Sequence, residues 1–119
     1  MPVDLWQFRD RVGFPAEGVD ISGFEVVGRN GSIGTVDKVN NDVSVVYLVV
    51  DTGDWMPGRT VALPAGTVER VDFAARRVKV DRTRDDVREA PDFDVKHHGS
   101  DRFRDLMEGY YHGLYETGL

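Results

Sequence analysis

The segment YLVVDTGDW ends an apolar run with Asp51-Thr52-Gly53, which has the composition of a catalytic loop. In such a loop the aspartate is half of a pair, in which one carboxylate holds a proton while the other activates water. A chain of 119 residues with one such loop would have to form a homodimer to complete the pair. A homodimeric aspartic protease that uses Asp51 is therefore one functional hypothesis.

The residues after Gly53 favour a structural role for Asp51. A small residue usually follows the glycine in such proteases, whereas Asp54 and the bulky Trp55 follow it here. Asp and Gly are also frequent turn residues, because an aspartate side chain bonds to the backbone two residues further on and glycine accepts a positive φ. We therefore expect a turn at the end of a buried strand, and we predict no catalytic residue.

A second glycine-containing segment, GRNGSIG at residues 28–34, has the composition of a phosphate-binding loop. Such a loop presents its amides at the start of a helix, whereas the residues after Gly34 have the pattern of a strand. Asn30-Gly31 instead predicts a type I′ hairpin turn, which needs a positive φ at both positions. Gly34 is expected at a bulge or a tight corner, where a side chain would collide with the neighbouring strand.

We predict no metal site and no cofactor. The chain has no cysteine, so thiolate ligands and disulfides are excluded. His97 and His98 are adjacent and His112 is isolated, whereas histidines that share a metal on one element need helical or alternate spacing.

The charge of the chain argues against nucleic acid as a partner. The net charge is −6, and affinity for nucleic acid comes largely from Lys and Arg that neutralise phosphates. The segment ARRVKVDRTR is a local exception, but it contains no aromatic residue for base stacking, so we interpret it as an exposed, charged strand face. Its basic strip consists of Arg76, Arg77, Lys79, Arg82 and Arg84.

We expect a cytoplasmic protein without a membrane span. The longest apolar run, Val45 to Val50, is far shorter than a bilayer-spanning helix. The N-terminal residues MPVDLWQFRD lack the basic start and apolar run of an export signal. The absence of cysteine suits a reducing compartment.

Hydrophobic alternation predicts a mainly β fold with the strand spacing of a small barrel. The six short, valine-rich segments are FEVVG, IGTVDKV, SVVYLVV, RTVALP, TVERVD and RRVKVD. We expect an aromatic lead-in with a short helix at residues 1–22, the barrel domain at 23–93, and a linker with a C-terminal helix at 94–119.

Two helices are expected after the strands. Thr83, with Asp86 three residues on, has the pattern of a capping box, and Ser100 can cap the second helix. In that second helix apolar residues recur at steps of four, three and four, which predicts one apolar face. They are Phe103, Met107, Tyr110 and Leu114.

The segment SVVYLVV is apolar on both sides, which predicts an interface. A small barrel buries one side, so the other must be covered by the C-terminal helix, by the lead-in or by a second copy of the chain. We expect a homodimer, because a symmetric dimer is the commonest way for one chain to bury such a surface. The candidate interface consists of Val45, Tyr47, Val49, Phe103, Met107, Tyr110 and Leu114.

From Gly23 to Phe93 the chain resembles the PRC-barrel family. The shared landmarks are GSIGTV after a hairpin, YLVVDTGDW running into GRTVALP, and VREAPDF at the close. The family includes the cytoplasmic domain of the H subunit of photosynthetic reaction centres, the C-terminal domain of a ribosome-maturation factor and stand-alone bacterial proteins. The resemblance implies a small barrel with short flanking helices that contacts other proteins, and it assigns no catalytic, cofactor-binding or metal-binding residue here.

A non-enzymatic protein-binding or self-assembling module of the bacterial cytoplasm is therefore our leading hypothesis, with an unknown protein partner. A ribosome-assembly factor, in which the acidic barrel binds a basic ribosomal protein, is an alternative. The homodimeric protease is the alternative from a different class of function.

Overall fold

Six strands form one mixed sheet in the computed structural model, which describes residues 5–7, 20–42, 45–56, 60–90 and 101–116. The strands are β1 Glu25–Gly28, β2 Gly31–Asp42, β3 Val45–Asp51, β4 Thr60–Pro64, β5 Val68–Asp72 and β6 Arg77–Val80. Each predicted segment forms a strand, and the predicted mainly β fold class is confirmed.

The order of the strands in the sheet is β4-β3-β2-β1-β6-β5. β1 and β6 are parallel, and the other neighbours are antiparallel. A short 3₁₀ turn, Ala65–Thr67, joins the two outermost strands β4 and β5, so the sheet has to curve back on itself. Within the described residues these two edges do not pair, and the sheet is therefore an open form of the predicted small barrel.

One face of the sheet, here called the inner face, forms the core. The cross-strand register puts a set of apolar side chains on this face, and each is at most 2% exposed: Val26, Val36, Leu48, Val50, Val61, Leu63 and Val78. Branched aliphatic side chains suit such a pleated, buried surface. Because successive strand residues point to opposite sides, Tyr47 and Val49 lie on the outer face.

The outer face of β3 is covered by the chain's own C-terminal helix, α2 (Asp101–Glu116), and by Trp6 of the lead-in. Tyr47 is 1% exposed, and its ring centroid lies 5.9 Å from that of Phe103 in α2 and 6.3 Å from that of Trp6. Tyr111 of the same helix is fully buried in the same core cluster. Both apolar sides of β3 are therefore buried within one chain.

A short helix, α1 (Arg84–Arg88), follows β6 and starts with the predicted capping box. The Thr83 hydroxyl accepts a hydrogen bond from the Asp86 amide at 3.1 Å, and the Asp86 carboxylate accepts one from the Thr83 amide at 3.0 Å. These reciprocal bonds satisfy two amides that have no partner within the helix. The capping box is confirmed.

Buried polar contacts hold α2 against the end of β6. The side chain of Arg82 is 6% exposed, its Nε lies 3.2 Å from Asp81 Oδ1, and its guanidinium carbon lies 4.5 Å from the ring centroid of Tyr115. The Tyr115 hydroxyl donates to the same Asp81 oxygen at 2.6 Å. We call these three residues the Arg82 cluster. The Tyr110 hydroxyl adds a hydrogen bond to the backbone carbonyl of Asp86.

The β1–β2 hairpin is present, but the predicted type I′ turn is wrong. Gly28 pairs with Gly31, so the two loop residues are Arg29 and Asn30. Gly31 has a φ of 141°, whereas Asn30 does not have a positive φ. A tertiary contact fixes the turn instead, because the Asn30 side-chain oxygen accepts a hydrogen bond from the backbone amide of Arg84 at 2.8 Å.

Several predictions fall on residues outside the described ranges. They include most of the lead-in helix, the cap at Ser100 and the linker histidines His97 and His98. These stay predictions, as do the boundaries of the three segments.

Candidate functional site

The Asp51 loop is a turn held by its own side chains. The Asp51 carboxylate accepts a hydrogen bond from the Gly53 amide at 3.0 Å, and Gly53 has a φ of 67°. The buried Thr52 hydroxyl donates to the carbonyl of Met56 at 2.9 Å. These contacts confirm the interpretation of Asp51 as a turn residue at the end of a buried strand.

Trp55 anchors the rest of this loop to α1. Its indole N–H donates to the carbonyl of Ile33 at 2.8 Å, and the guanidinium carbons of Arg84 and Arg88 lie 4.5 and 5.5 Å from its ring centroid. Contacts between a cation and an aromatic face stabilise such an arrangement. An open depression of 460 Å³ lies beside the loop and includes Asp51 in its lining.

The turn geometry predicts that the purified protein does not cleave unfolded substrates between mild acid and neutral pH. Asp51→Asn should change the free energy of unfolding by less than about 1 kcal/mol, because asparagine keeps an oxygen that accepts the Gly53 amide. A gel-based cleavage assay and urea unfolding of both proteins measure the two quantities. Proteolysis that an aspartic-protease inhibitor blocks, and that Asp51→Asn abolishes, would contradict this prediction.

Most of the predicted interface residues are covered within the chain. Four of them are at most 6% exposed: Tyr47, Val49, Phe103 and Met107. Tyr110 and Leu114 are partly buried against the same core, and Val45 lies in β3. Leu106 is 52% exposed on α2 and is the exposed large apolar side chain of the described residues. The homodimer stays a prediction, and the two apolar surfaces on which it was based, on β3 and on α2, pack into the core of one chain.

A row of polar side chains, here called the polar row, crosses the outer face over all six strands. Its register-paired members are Asp72 of β5, Arg77 of β6, Glu25 of β1, Thr35 of β2, Asp51 of β3 and Thr60 of β4. Each is partly or fully exposed. Charges alternate at the β5 end, where Arg77 Nε lies 3.1 Å from Glu25 Oε1. The polar row is therefore largely neutralised within the chain at that end.

A second row, here called the basic row, lies beside it and has a different charge pattern. The register pairs Arg70 of β5 with Lys79 of β6, Lys79 with Val27 of β1, and Val27 with Ser32 of β2. Arg70 and Lys79 are thus like charges directly opposite each other, which destabilises a sheet. Within the described part of the chain no ion pair neutralises Lys79, whereas Arg70 lies 3.4 Å from Asp72.

The basic row and the β5, β6 and β1 members of the polar row line an open depression of 820 Å³. Val27 is partly buried and contributes apolar surface, and Arg29 adds a further cation to the lining. The pKa of Asp72 lies below its usual value, chiefly because the Ala75 amide donates to its carboxylate and to a smaller extent because of Arg70. The depression is therefore a charged surface with a small apolar part.

The five residues of the predicted basic strip lie in different environments in the structure. Arg77 and Lys79 are exposed on β6, as expected for a charged strand face. Arg76 lies in the turn before β6 with a φ of 56°, Arg82 is buried, and Arg84 lies over an indole ring. The strip therefore contributes two of its five cations to the outer face of β6.

Sequence reasoning missed the part of this surface that β1 contributes. The alternation of Glu25, Val27 and Arg29 with buried residues was the available signal for an exposed strand face. The alternation pattern does not identify the strand that pairs with β1 in the sheet. The parallel pairing with β6 brings together Glu25 and Arg77, which are 52 residues apart in the chain.

The predictions on a membrane span and on His112 can be compared with the described residues. No helix there has the length and apolar content to cross a bilayer. His112 is exposed on α2, at the surface of the chain.

A curved six-stranded sheet, a short capped helix and an open charged face define a small, mainly β domain. A family model described as PRC-barrel domain matches residues 16–87, which is more than half of the chain. The chain therefore belongs to the PRC-barrel domain family, and the resemblance found in the sequence is confirmed. A comparison with curated proteins gives no match.

Proposed function

We propose that this PRC-barrel chain is a non-enzymatic protein-binding module whose partner docks on the open part of the outer face. One observation carries the proposal: the outer face is divided. Tyr47 and Val49 on its β3 part are buried beside α2 and Trp6, whereas its part on β1, β5 and β6 forms an open depression. Membership of the PRC-barrel family supports a role in protein contact.

The composition of the open face supports a protein partner over a small molecule. Small-molecule sites are mostly apolar and enclose most of the ligand surface. Here the depression is open and lined largely by charged side chains around the partly buried Val27. Charged and polar groups around a small apolar centre are typical of the rim and core of a protein interface.

The cellular setting is part of the same proposal. The cysteine-free composition supports a reducing compartment, so we propose that the module acts in the cytoplasm of a bacterium. Expression of a fluorescent fusion together with cell fractionation tests the location separately from binding.

Site-specific photocrosslinking tests the docking face. A photoreactive benzoylphenylalanine replaces Val27 in the lining of the depression, and a matched variant carries it at Asp37, an exposed β2 residue outside that lining. We expect an adduct with one defined protein from position 27 and none from position 37. The purified partner should form the same adduct in vitro, and excess unlabelled chain should compete it away.

Two results would contradict this proposal. Equal crosslinking from both positions would show that the depression does not select the partner. An adduct of the chain with itself from position 27, without any other protein, would support self-association through this face instead.

A further inference from the structure

We infer that the basic row binds carboxylate side chains of an acidic segment of the partner protein. This inference rests on the proposed docking face, and it adds the chemistry of the partner. The occupant to which it commits is a protein segment in which acidic residues alternate with small apolar ones.

The positive charge of the basic row is not balanced within the described residues. Cross-strand neighbours have Cβ atoms about 5 Å apart, so the side chains of Arg70 and Lys79 repel each other across the β5–β6 pair. Both are exposed, and within the described residues no carboxylate forms an ion pair with Lys79. A carboxylate placed between the two cations would remove this repulsion and gain charge-assisted hydrogen bonds.

Two carboxylates of the depression already accept hydrogen bonds within the chain. Glu25 bonds to Arg77 at 3.1 Å, and Asp72 accepts from the Ala75 amide at 3.0 Å. Of the described residues, Glu69, partly buried in a β5 bulge, is the remaining acidic side chain in the lining. Two cations, Lys79 and Arg29, therefore have only the carboxylate of Glu69 available to them among the described lining residues. This local excess of positive charge occurs although the chain as a whole has a net charge of −6.

The side chains of the depression suit a protein segment better than a nucleic acid. Among the described residues, the lining of the depression contains no aromatic residue on which a base could stack. It does contain the aliphatic side chain of Val27, directly beside Lys79 in the register. An acidic side chain at Lys79 together with an apolar one at Val27 uses both features, and such charge complementarity provides specificity.

Fluorescence anisotropy with short labelled peptides tests the inference on the full chain. The probe is a peptide of three Glu-Val repeats, and the matched peptides have three Gln-Val or three Lys-Val repeats. The buffer contains about 0.15 M salt, where the Debye length is about 8 Å, so that the net negative charge of the chain is screened while local contacts persist. We expect the Glu-Val peptide to bind at least about ten-fold more tightly than either control, the fold-change of about 1.4 kcal/mol.

Two variants locate the binding. Lys79→Glu should weaken binding of the Glu-Val peptide about ten-fold, whereas Lys38→Glu, the same change at an exposed β2 position outside the depression, should change it less than about two-fold. Circular dichroism confirms that both variants are folded.

The inference is overturned by tighter binding of the Lys-Val peptide, by no binding of the Glu-Val peptide, or by equal effects of the two variants. If position 27 crosslinks a partner whose docking segment is not acidic, the proposed docking face stands and this inference fails. If position 27 crosslinks nothing while the Glu-Val peptide binds in a Lys79-dependent way, the proposed docking of a partner at Val27 fails. The inferred affinity of the basic row for carboxylates then stands.

Discussion

Gly34→Ala is expected to destabilise the protein by about 3 kcal/mol or more, to the point that little folded protein is recovered. A Cβ atom at this position would lie 2.0 Å from the carbonyl oxygen of Asp51 and 2.9 Å from its carbonyl carbon. The obstacle is the backbone of β3, which cannot move aside as a flexible side chain would. Urea unfolding followed by circular dichroism measures the loss, and soluble yield reports it if the variant does not fold.

A matched substitution separates this steric effect from the general cost of replacing glycine. Gly109 lies on the exposed side of α2, and among the described residues a Cβ there would meet no atom within 4 Å apart from its chain neighbours and the backbone of its own helix. Gly109→Ala should therefore leave stability unchanged or raise it by up to about 1 kcal/mol, because alanine favours the helix. An unfolding midpoint of Gly34→Ala equal to that of wild type would show that β2 and β3 do not approach so closely.

Arg82→Ala is expected to cost about 3–5 kcal/mol, because it removes the guanidinium that neutralises the buried carboxylate of Asp81. The side chain of Asp81 is 7% exposed and lies 3.2 Å from Arg82 Nε, so its carboxylate would keep the Tyr115 hydroxyl as its other contact in the Arg82 cluster. The ring of Tyr115 would lose the guanidinium above it. Since these contacts hold α2 to the end of β6, we expect α2 to become more susceptible to limited proteolysis.

The control for Arg82 is an exposed ion pair on the same sheet. Arg70 lies 3.4 Å from Asp72, and their side chains are 69% and 36% exposed. Arg70→Ala should change the free energy of unfolding by less than about 1 kcal/mol, because water solvates both charges. Similar losses for the two variants, measured by urea unfolding, would contradict a special role for the Arg82 cluster.

Local sequence patterns accounted for the secondary structure. The six strands follow from period-two alternation and turn residues, and the capping box follows from Thr83 and Asp86, which are three residues apart. Gly34 was expected where a side chain would strike a neighbouring strand, and the carbonyl of Asp51 is that neighbour. The strands and the capping box depend on residues close in sequence, and the close approach at Gly34 depends on the lack of a side chain in glycine. The sequence alone is therefore sufficient to predict these features.

The turn of the β1–β2 hairpin shows where local rules stop. Asn30-Gly31 has the composition of a type I′ turn, but the Asn30 side chain bonds to the backbone of Arg84 and Asn30 keeps a negative φ. A contact with a residue 54 positions away therefore outweighs the local preference. No window of sequence around the turn contains that information.

By itself the sequence determined a mainly β chain of the PRC-barrel family, a strand that is apolar on both sides and an amphipathic helix able to cover it. Only the tertiary structure decided that α2 covers β3 within the same chain, as the contact between Tyr47 and Phe103 shows. It also decided that Lys79 lies between Arg70 and Val27 on an open face. The physical reason is that side-chain periodicity fixes the direction of each residue relative to its own strand or helix, whereas the neighbours it meets depend on pairing between distant elements.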